Sequence, residues 1–147
     1  MAETLNLSRF LPYLLSITSN AVSDRIAREY QTRFGLKIPE WRVLAMLGQG
    51  KPMTQRELVT ATVMDKVTVS RATAALVERR LVERSPSRHD GRSHHLALTQ
   101  EGVGLYEMIA PAALAMEQQI LAGLNEQERA QLTSILAKLR DAVSALK

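Results

Sequence analysis

Cysteine is absent from the 147 residues, which excludes a disulfide framework, a thiolate metal site and thiol-based redox sensing. Aromatic residues make up only 4% of the chain, alongside 7 glycines and 5 prolines, a balance that favours a helical globular protein over a β-sandwich or a disordered chain. No apolar run approaches the ~20 residues that span a bilayer, and the N-terminus lacks a basic segment followed by an apolar stretch. A soluble, cytoplasmic protein without membrane contact is therefore expected. His89, His94 and His95 are the only histidines. On a strand, His94 and His95 point to opposite faces, so no metal site is expected. No nucleophile elbow, phosphate-binding glycine loop or metalloprotease helix occurs, so neither an enzyme nor a cofactor is expected.

What is present is helical patterning. Over residues 8–34 the apolar positions Phe10, Leu11, Leu14, Leu15, Ile17, Ala21, Val22, Ile26 and Tyr30 recur at helical spacing, with Pro12 in the first turn and Gly35 as the stop. The stripe is wider than a domain of this size needs. A second helix starts near Pro39, carries Trp41, Val43, Leu44 and Leu47, and closes at Gly48 and Gly50. Thr54 and Glu57 then form a capping box for a short third helix starting at Gln55, and Asp65 caps a fourth that runs to Arg79. Two short helices joined by a tight turn make a helix-turn-helix.

Residues 81–84 and 93–99, with Leu96 and Leu98 alternating, predict a β-hairpin whose polar tip spans residues 85–92. Thr99 caps a fifth helix that Pro111 is expected to kink, and Asn125 with Glu128 caps a sixth bearing Leu132, Ile135, Leu136, Leu139 and Val143. The expected fold class is mostly α with a small β-wing (α+β), in the order α-α-α-α-β-β-α-α.

On the fourth helix, ~100° per residue places Val69, Ala72, Thr73 and Leu76 on one side. Val67, Thr68, Arg71, Ala74, Ala75 and Glu78 fall on the other. Short outward side chains let a helix approach a major groove closely, and Lys66, Thr68, Ser70 and Arg71 place donors near its N-terminal end. The plainer alternative is the solvated face of an ordinary helix. The net charge is +4, and between residues 66 and 92 Lys66, Arg71, Arg79, Arg80, Arg84, Arg88 and Arg92 outnumber Glu78, Glu83 and Asp90. Arg88 and Arg92 sit at the expected hairpin tip, suited to a narrow minor groove. Asp90 is spaced to hold the Arg92 guanidinium, and His89 can add a phosphate contact. A plain charged turn is the alternative.

Residues 54–102 resemble the multiple antibiotic resistance regulator (MarR) family of winged helix-turn-helix regulators. The likeness rests on the run Asp65, Lys66, Val67, Thr68, Val69, Ser70, Arg71 at the start of the fourth helix, on Asp90-Gly91-Arg92 in the hairpin, and on Leu98-Thr99-Gln100-Glu101-Gly102 at the fifth helix. It departs from the family at Val63 and Arg80, where the family usually has glycine. A left-handed Arg80 would cost about 1 kcal/mol. The resemblance implies one domain over residues 1–147, with a DNA-binding lobe at 38–99 and dimerisation helices at 1–37 and 100–147. It further implies a homodimer on double-stranded DNA at a pseudo-palindromic operator, a repressor released by a small, aromatic-acid effector.

The DNA-binding candidates are Thr54, Gln55, Lys66, Val67, Thr68, Ser70, Arg71, Arg88, His89 and Arg92, supported by Asp90. Ser16, Asn20 and Trp41 are candidates for the effector cleft, against a plain core tryptophan and solvated helix residues. The competing function is a winged-helix architectural or protein-interaction module that does not read sequence.

Overall fold

The computed structural model describes residues 2–86 and 94–146. After a 3-10 turn at Leu7–Arg9, the order is α1 (Leu11–Phe34), α2 (Ile38–Leu47), β1 (Met53–Thr54), α3 (Gln55–Thr62), α4 (Lys66–Glu78), β2 (Val82–Pro86), β3 (His94–Leu98), α5 (Gln100–Ile120) and α6 (Glu126–Ala145). The expected class and helix order hold, with one strand added. The chain divides into two compact units, Met1–Ala113 and Leu114–Lys147.

Each helix begins and ends where local chemistry dictates. Pro12 occupies the first turn of α1, where a missing N–H costs nothing, and Gly35 ends the helix in the left-handed region at φ 66°. Thr54 Oγ1 accepts the Glu57 amide at 3.1 Å, Asp65 Oδ1 accepts the Thr68 amide at 2.8 Å, and Asn125 Oδ1 accepts the Glu128 amide at 2.8 Å. At α6 the box is complete, because Glu128 Oε1 accepts the Asn125 amide at 3.0 Å. At α3 it is not: the Glu57 carboxylate instead accepts the Thr54 hydroxyl at 3.1 Å.

α4 closes with a Schellman motif. The Leu81 amide donates to Leu76 O and the Arg80 amide to Val77 O, both at 3.0 Å, and buried Leu81 and Leu76 supply the accompanying apolar contact. The left-handed position in that motif is Arg80, at φ 60°, and the turn between α3 and α4 is made by Val63, at φ 56°. Both residues that stand where the family usually has glycine therefore adopt the conformation glycine favours.

The hairpin is part of a three-stranded antiparallel sheet in the order β1-β3-β2. Met53 pairs with Leu96 and Thr54 with His95, and β2 pairs with β3 from Val82–Leu98 through to Pro86–His94. Ser85 and Pro86, expected in the tip, are thus strand residues. Pro86 is tolerated because β2 is an edge strand.

The core of the Met1–Ala113 unit is one cluster, including Tyr30, Leu36, Val43, Leu44, Leu58, Val69, Leu76, Val82, Leu96 and Ile109. Gly102 in α5 lies against the Leu81 carbonyl so closely that a Cβ there would overlap its oxygen. Within the Leu114–Lys147 unit, Arg129 donates to the Leu121 and Leu124 carbonyls at 2.9 and 3.2 Å and to Gln118 Oε1 at 2.9 Å, tying the end of α5 to the start of α6. Among the described residues no helix is long and apolar enough to cross a membrane.

Candidate nucleic-acid interface

α4 sits in the fold by the stripe its periodicity marks: Val69, Ala72, Thr73 and Leu76 are buried, and Thr73 satisfies its hydroxyl on the Ser70 carbonyl at 3.0 Å. The opposite face is open. Lys66, Val67, Ser70, Arg71 and Ala74 are exposed, and Thr68 is half-buried. An exposed valine, 57% accessible at Val67, and an alanine at position 74 do nothing for solubility. They do keep the helix surface low enough for its backbone to approach a groove about 12 Å wide. At 13 residues, α4 is about 20 Å long.

The N-terminal end of α4 is held firmly. Asp65 accepts the Thr68 amide and, at 2.9 Å, the Thr68 hydroxyl. These hydrogen bonds pull the Asp65 carboxyl below the ordinary aspartate range. Thr68 therefore presents lone pairs outward, because its hydroxyl proton is committed to Asp65. Lys66, Ser70 and Arg71 are the donors left free to reach a groove, and none of the three forms a side-chain hydrogen bond among the described residues.

Thr54 and Gln55, both half-buried, start α3, the first helix of the pair. The Thr54 hydroxyl is engaged with Glu57 as both donor and acceptor, so at this end the Gln55 side chain is the candidate left to reach a phosphate. Arg88, His89, Asp90 and Arg92 lie outside the described residues. Arg79, which charge counting places in the basic cluster, is instead turned toward α1, where it donates to the Phe34 carbonyl at 2.7 Å.

Trp41 stands in an aromatic ladder. Its ring stacks on Tyr30 at 5.4 Å between centroids and on Tyr106 at 6.3 Å, linking α1, α2 and α5. Burial raises the Tyr30 pKa, against the nearby Arg42 cation, which lowers it. Trp41 also borders an open hollow of about 290 Å³ with Arg42, Ala45, Met46, Gln49 and Thr62. Ser16 and Asn20 are exposed on α1 and do not line that hollow. Arg42 is the residue sequence reasoning passed over. Its signal was adjacency, a cation next to the chain's single tryptophan.

Residues 34–93 match the family model described as MarR family. The HTH-type transcriptional repressor NicR of Pseudomonas putida is 32% identical over 98 residues, a match spanning 67% of this chain and 62% of that protein. Among solved structures, a MarR/EmrR family transcriptional regulator from Acinetobacter sp. ADP1 superposes with a TM-score of 0.87 at 27% identity, covering 97% of this chain and all of that one. BpsR of Bordetella bronchiseptica, whose DNA binding is regulated by 6-hydroxynicotinic acid, gives a TM-score of 0.85 at 25% identity, with 95% and 99% of the two chains covered.

Proposed function

The chain belongs to the MarR family of transcriptional regulators, and from that premise we propose that it is a homodimeric repressor that reads a pseudo-palindromic operator and is released by a small aromatic acid. The carrying observation is the exposed face of α4, where Lys66, Ser70 and Arg71 flank a surface of small side chains on a helix whose N-terminus Asp65 fixes. Arg71 reads a base edge or clasps a phosphate, and Lys66 contacts the backbone. The hairpin residues Arg88, His89 and Arg92, with Asp90, extend the contact to the minor groove or backbone.

Dimerisation is supported by apolar surface that no described contact covers. Leu11, Leu15 and Ile17 on α1 are 70%, 44% and 44% exposed, and Ile135, Leu139 and Val143 on α6 are 53%, 43% and 69% exposed. Stripes of this kind mark a protein interface. Two copies related by a two-fold axis place their reading heads on half-sites ~10 base pairs apart. For the effector, the BpsR ligand supplies the chemical class. Arg42, in the hollow that Trp41 borders, offers a cation for a carboxylate, and Ser16 and Asn20 of α1 are further polar candidates away from that hollow. The protein works where its operator is, in the cytoplasm.

Sedimentation combined with footprinting tests the proposal. A dimer at micromolar concentration that protects two half-sites one turn apart is expected. A monomer, or protection with no symmetric pattern, refutes it.

A further inference from the structure

Two side-chain hydrogen bonds in the Met1–Ala113 unit cross large sequence distances, and both involve the two residues that directly follow α4. Arg79 Nη2 donates to Phe34 O at 2.7 Å across 45 residues, and Thr99 Oγ1 donates to Arg80 O at 2.6 Å across 19. The next longest side-chain hydrogen bond among the described residues spans only 11. The Thr99 amide adds a bond to Leu81 O at 3.0 Å, and Gly102 packs against that same carbonyl. The far end of the reading helix is therefore held by the end of α1 on one side and the start of α5 on the other.

Each contact has a physical reason. Phe34 O is one of the carbonyls that the end of α1 leaves without a helical partner. A guanidinium at a helix C-terminus is favoured by the partial negative charge there, and a charged donor makes a short bond. Phe34 is gripped twice, since the Arg33 guanidinium lies 5.0 Å from its ring centroid. Thr99 serves two elements at once, because its Oγ1 also accepts the Gly102 amide at 3.0 Å as the cap of α5.

We propose that Arg79 is a positioning residue: it fixes the C-terminal end of α4 to α1 and so sets where the DNA-reading end of α4 stands relative to that in a second copy of the chain. The proposal rests on the dimeric reading above. Geometry makes the tether matter. α4 is a lever about 20 Å long, so a tilt of roughly 5° about its fixed end moves Lys66 by about 1.7 Å, half the ~3.4 Å spacing of successive nucleotides in a strand, and moves Arg71, midway along, by about 1 Å. The buried stripe of α4, aliphatic apart from Thr73, fixes the depth of the helix, and the Arg79 bond adds a directional constraint at its C-terminal end that points to α1. Arg79 is assigned to spacing, and Arg71 to contact.

The test compares wild type, Arg79→Ala and Arg79→Lys on an operator and on the same operator with one base pair inserted between half-sites, together with salt dependence and thermal midpoint. Wild type is expected to lose at least tenfold in affinity on insertion. Arg79→Ala should lose less than threefold, with single half-site affinity within twofold of wild type and an unchanged salt slope. Arg79→Lys, which keeps a charged donor, should recover most of the discrimination. Full discrimination in Arg79→Ala overturns the positioning role. So does a salt slope lowered by about one, which identifies a phosphate ligand. Should Arg79→Ala fail to fold, Arg79→Gln keeps a neutral donor and is expected to give an intermediate ratio; a wild-type ratio in it overturns the proposal. Wild-type protein indifferent to the insertion refutes the dimer-on-operator reading instead, and this proposal falls with it.

Discussion

Val63 holds a left-handed conformation, φ 56° and ψ 27°, that β-branched residues rarely adopt. Replacing it with glycine isolates the cost. For an L-residue that cost is about 1–2 kcal/mol, and a Cβ-branched side chain belongs at the upper end. Against it stands the greater freedom glycine loses on folding, about 0.5–1 kcal/mol. Little packing is at stake, because the Val63 side chain is 85% exposed. The turn's backbone bond, Val63 N to Val59 O at 3.0 Å, survives the change.

Val63→Gly should therefore gain about 1 kcal/mol, which for a chain of this size raises the unfolding midpoint by about 2–4 °C. Circular dichroism melts at matched protomer concentration measure it, since a dimer's midpoint depends on concentration. Gly35→Ala is the mirror control. Gly35 sits at φ 66° with open space around it, so the added methyl meets only the backbone penalty and the midpoint should fall by a similar amount. An unchanged or lower midpoint for Val63→Gly, with Gly35→Ala tolerated, would mean that the left-handed backbone carries no strain at these positions.

Gly102→Ala should be far more damaging, lowering stability by about 3 kcal/mol or more in a denaturant titration, because its methyl would meet the Leu81 carbonyl, a backbone atom that cannot turn away. Asp65→Ala should destabilise the protein at neutral pH. The folded-state pKa of Asp65 is lowered, so its contribution is present above the ordinary value of about 3.9 and lost as pH falls through the folded value. The wild-type and Asp65→Ala midpoints should therefore converge in acid melts below that range, and a constant gap would count against the cap. Arg71→Ala should cost about 1–3 kcal/mol of operator affinity and flatten base preference, measured by competition with substituted operators. Lys66→Ala should instead weaken all sequences alike and lower the salt slope by about one.

The parts legible in the sequence were those set by neighbours in the chain. The caps Thr54, Asp65 and Asn125 act across three residues, and the buried stripe of α4 repeats every three or four, so local pattern was enough. The left-handed residues Val63 and Arg80 were visible as departures from a family pattern, because glycine in that pattern marks a backbone requirement that outlasts the glycine. β1 was not visible. Two residues carry no alternation, and Met53 and Thr54 form a strand only because Leu96 and His95, some forty residues away, pair with them. Pro86 pointed to a turn for the same reason, since its edge position depends on the sheet around it. Counting charges grouped Arg79 with the basic cluster, but its partner is a carbonyl 45 residues earlier. Arg42 was missed because chain adjacency to Trp41 does not show the hollow, which α2 lines only together with Thr62 of α3.

Whether the exposed face of α4 reads sequence is decided by titrating the protein against a mixture of genomic fragments at rising salt. Nonspecific binding is almost wholly electrostatic and is stripped as counterions compete, whereas base contacts persist. A few fragments should stay bound at salt that releases the rest, and Arg71→Ala should erase this difference. Uniform release of all fragments from the wild-type protein would contradict sequence reading by α4.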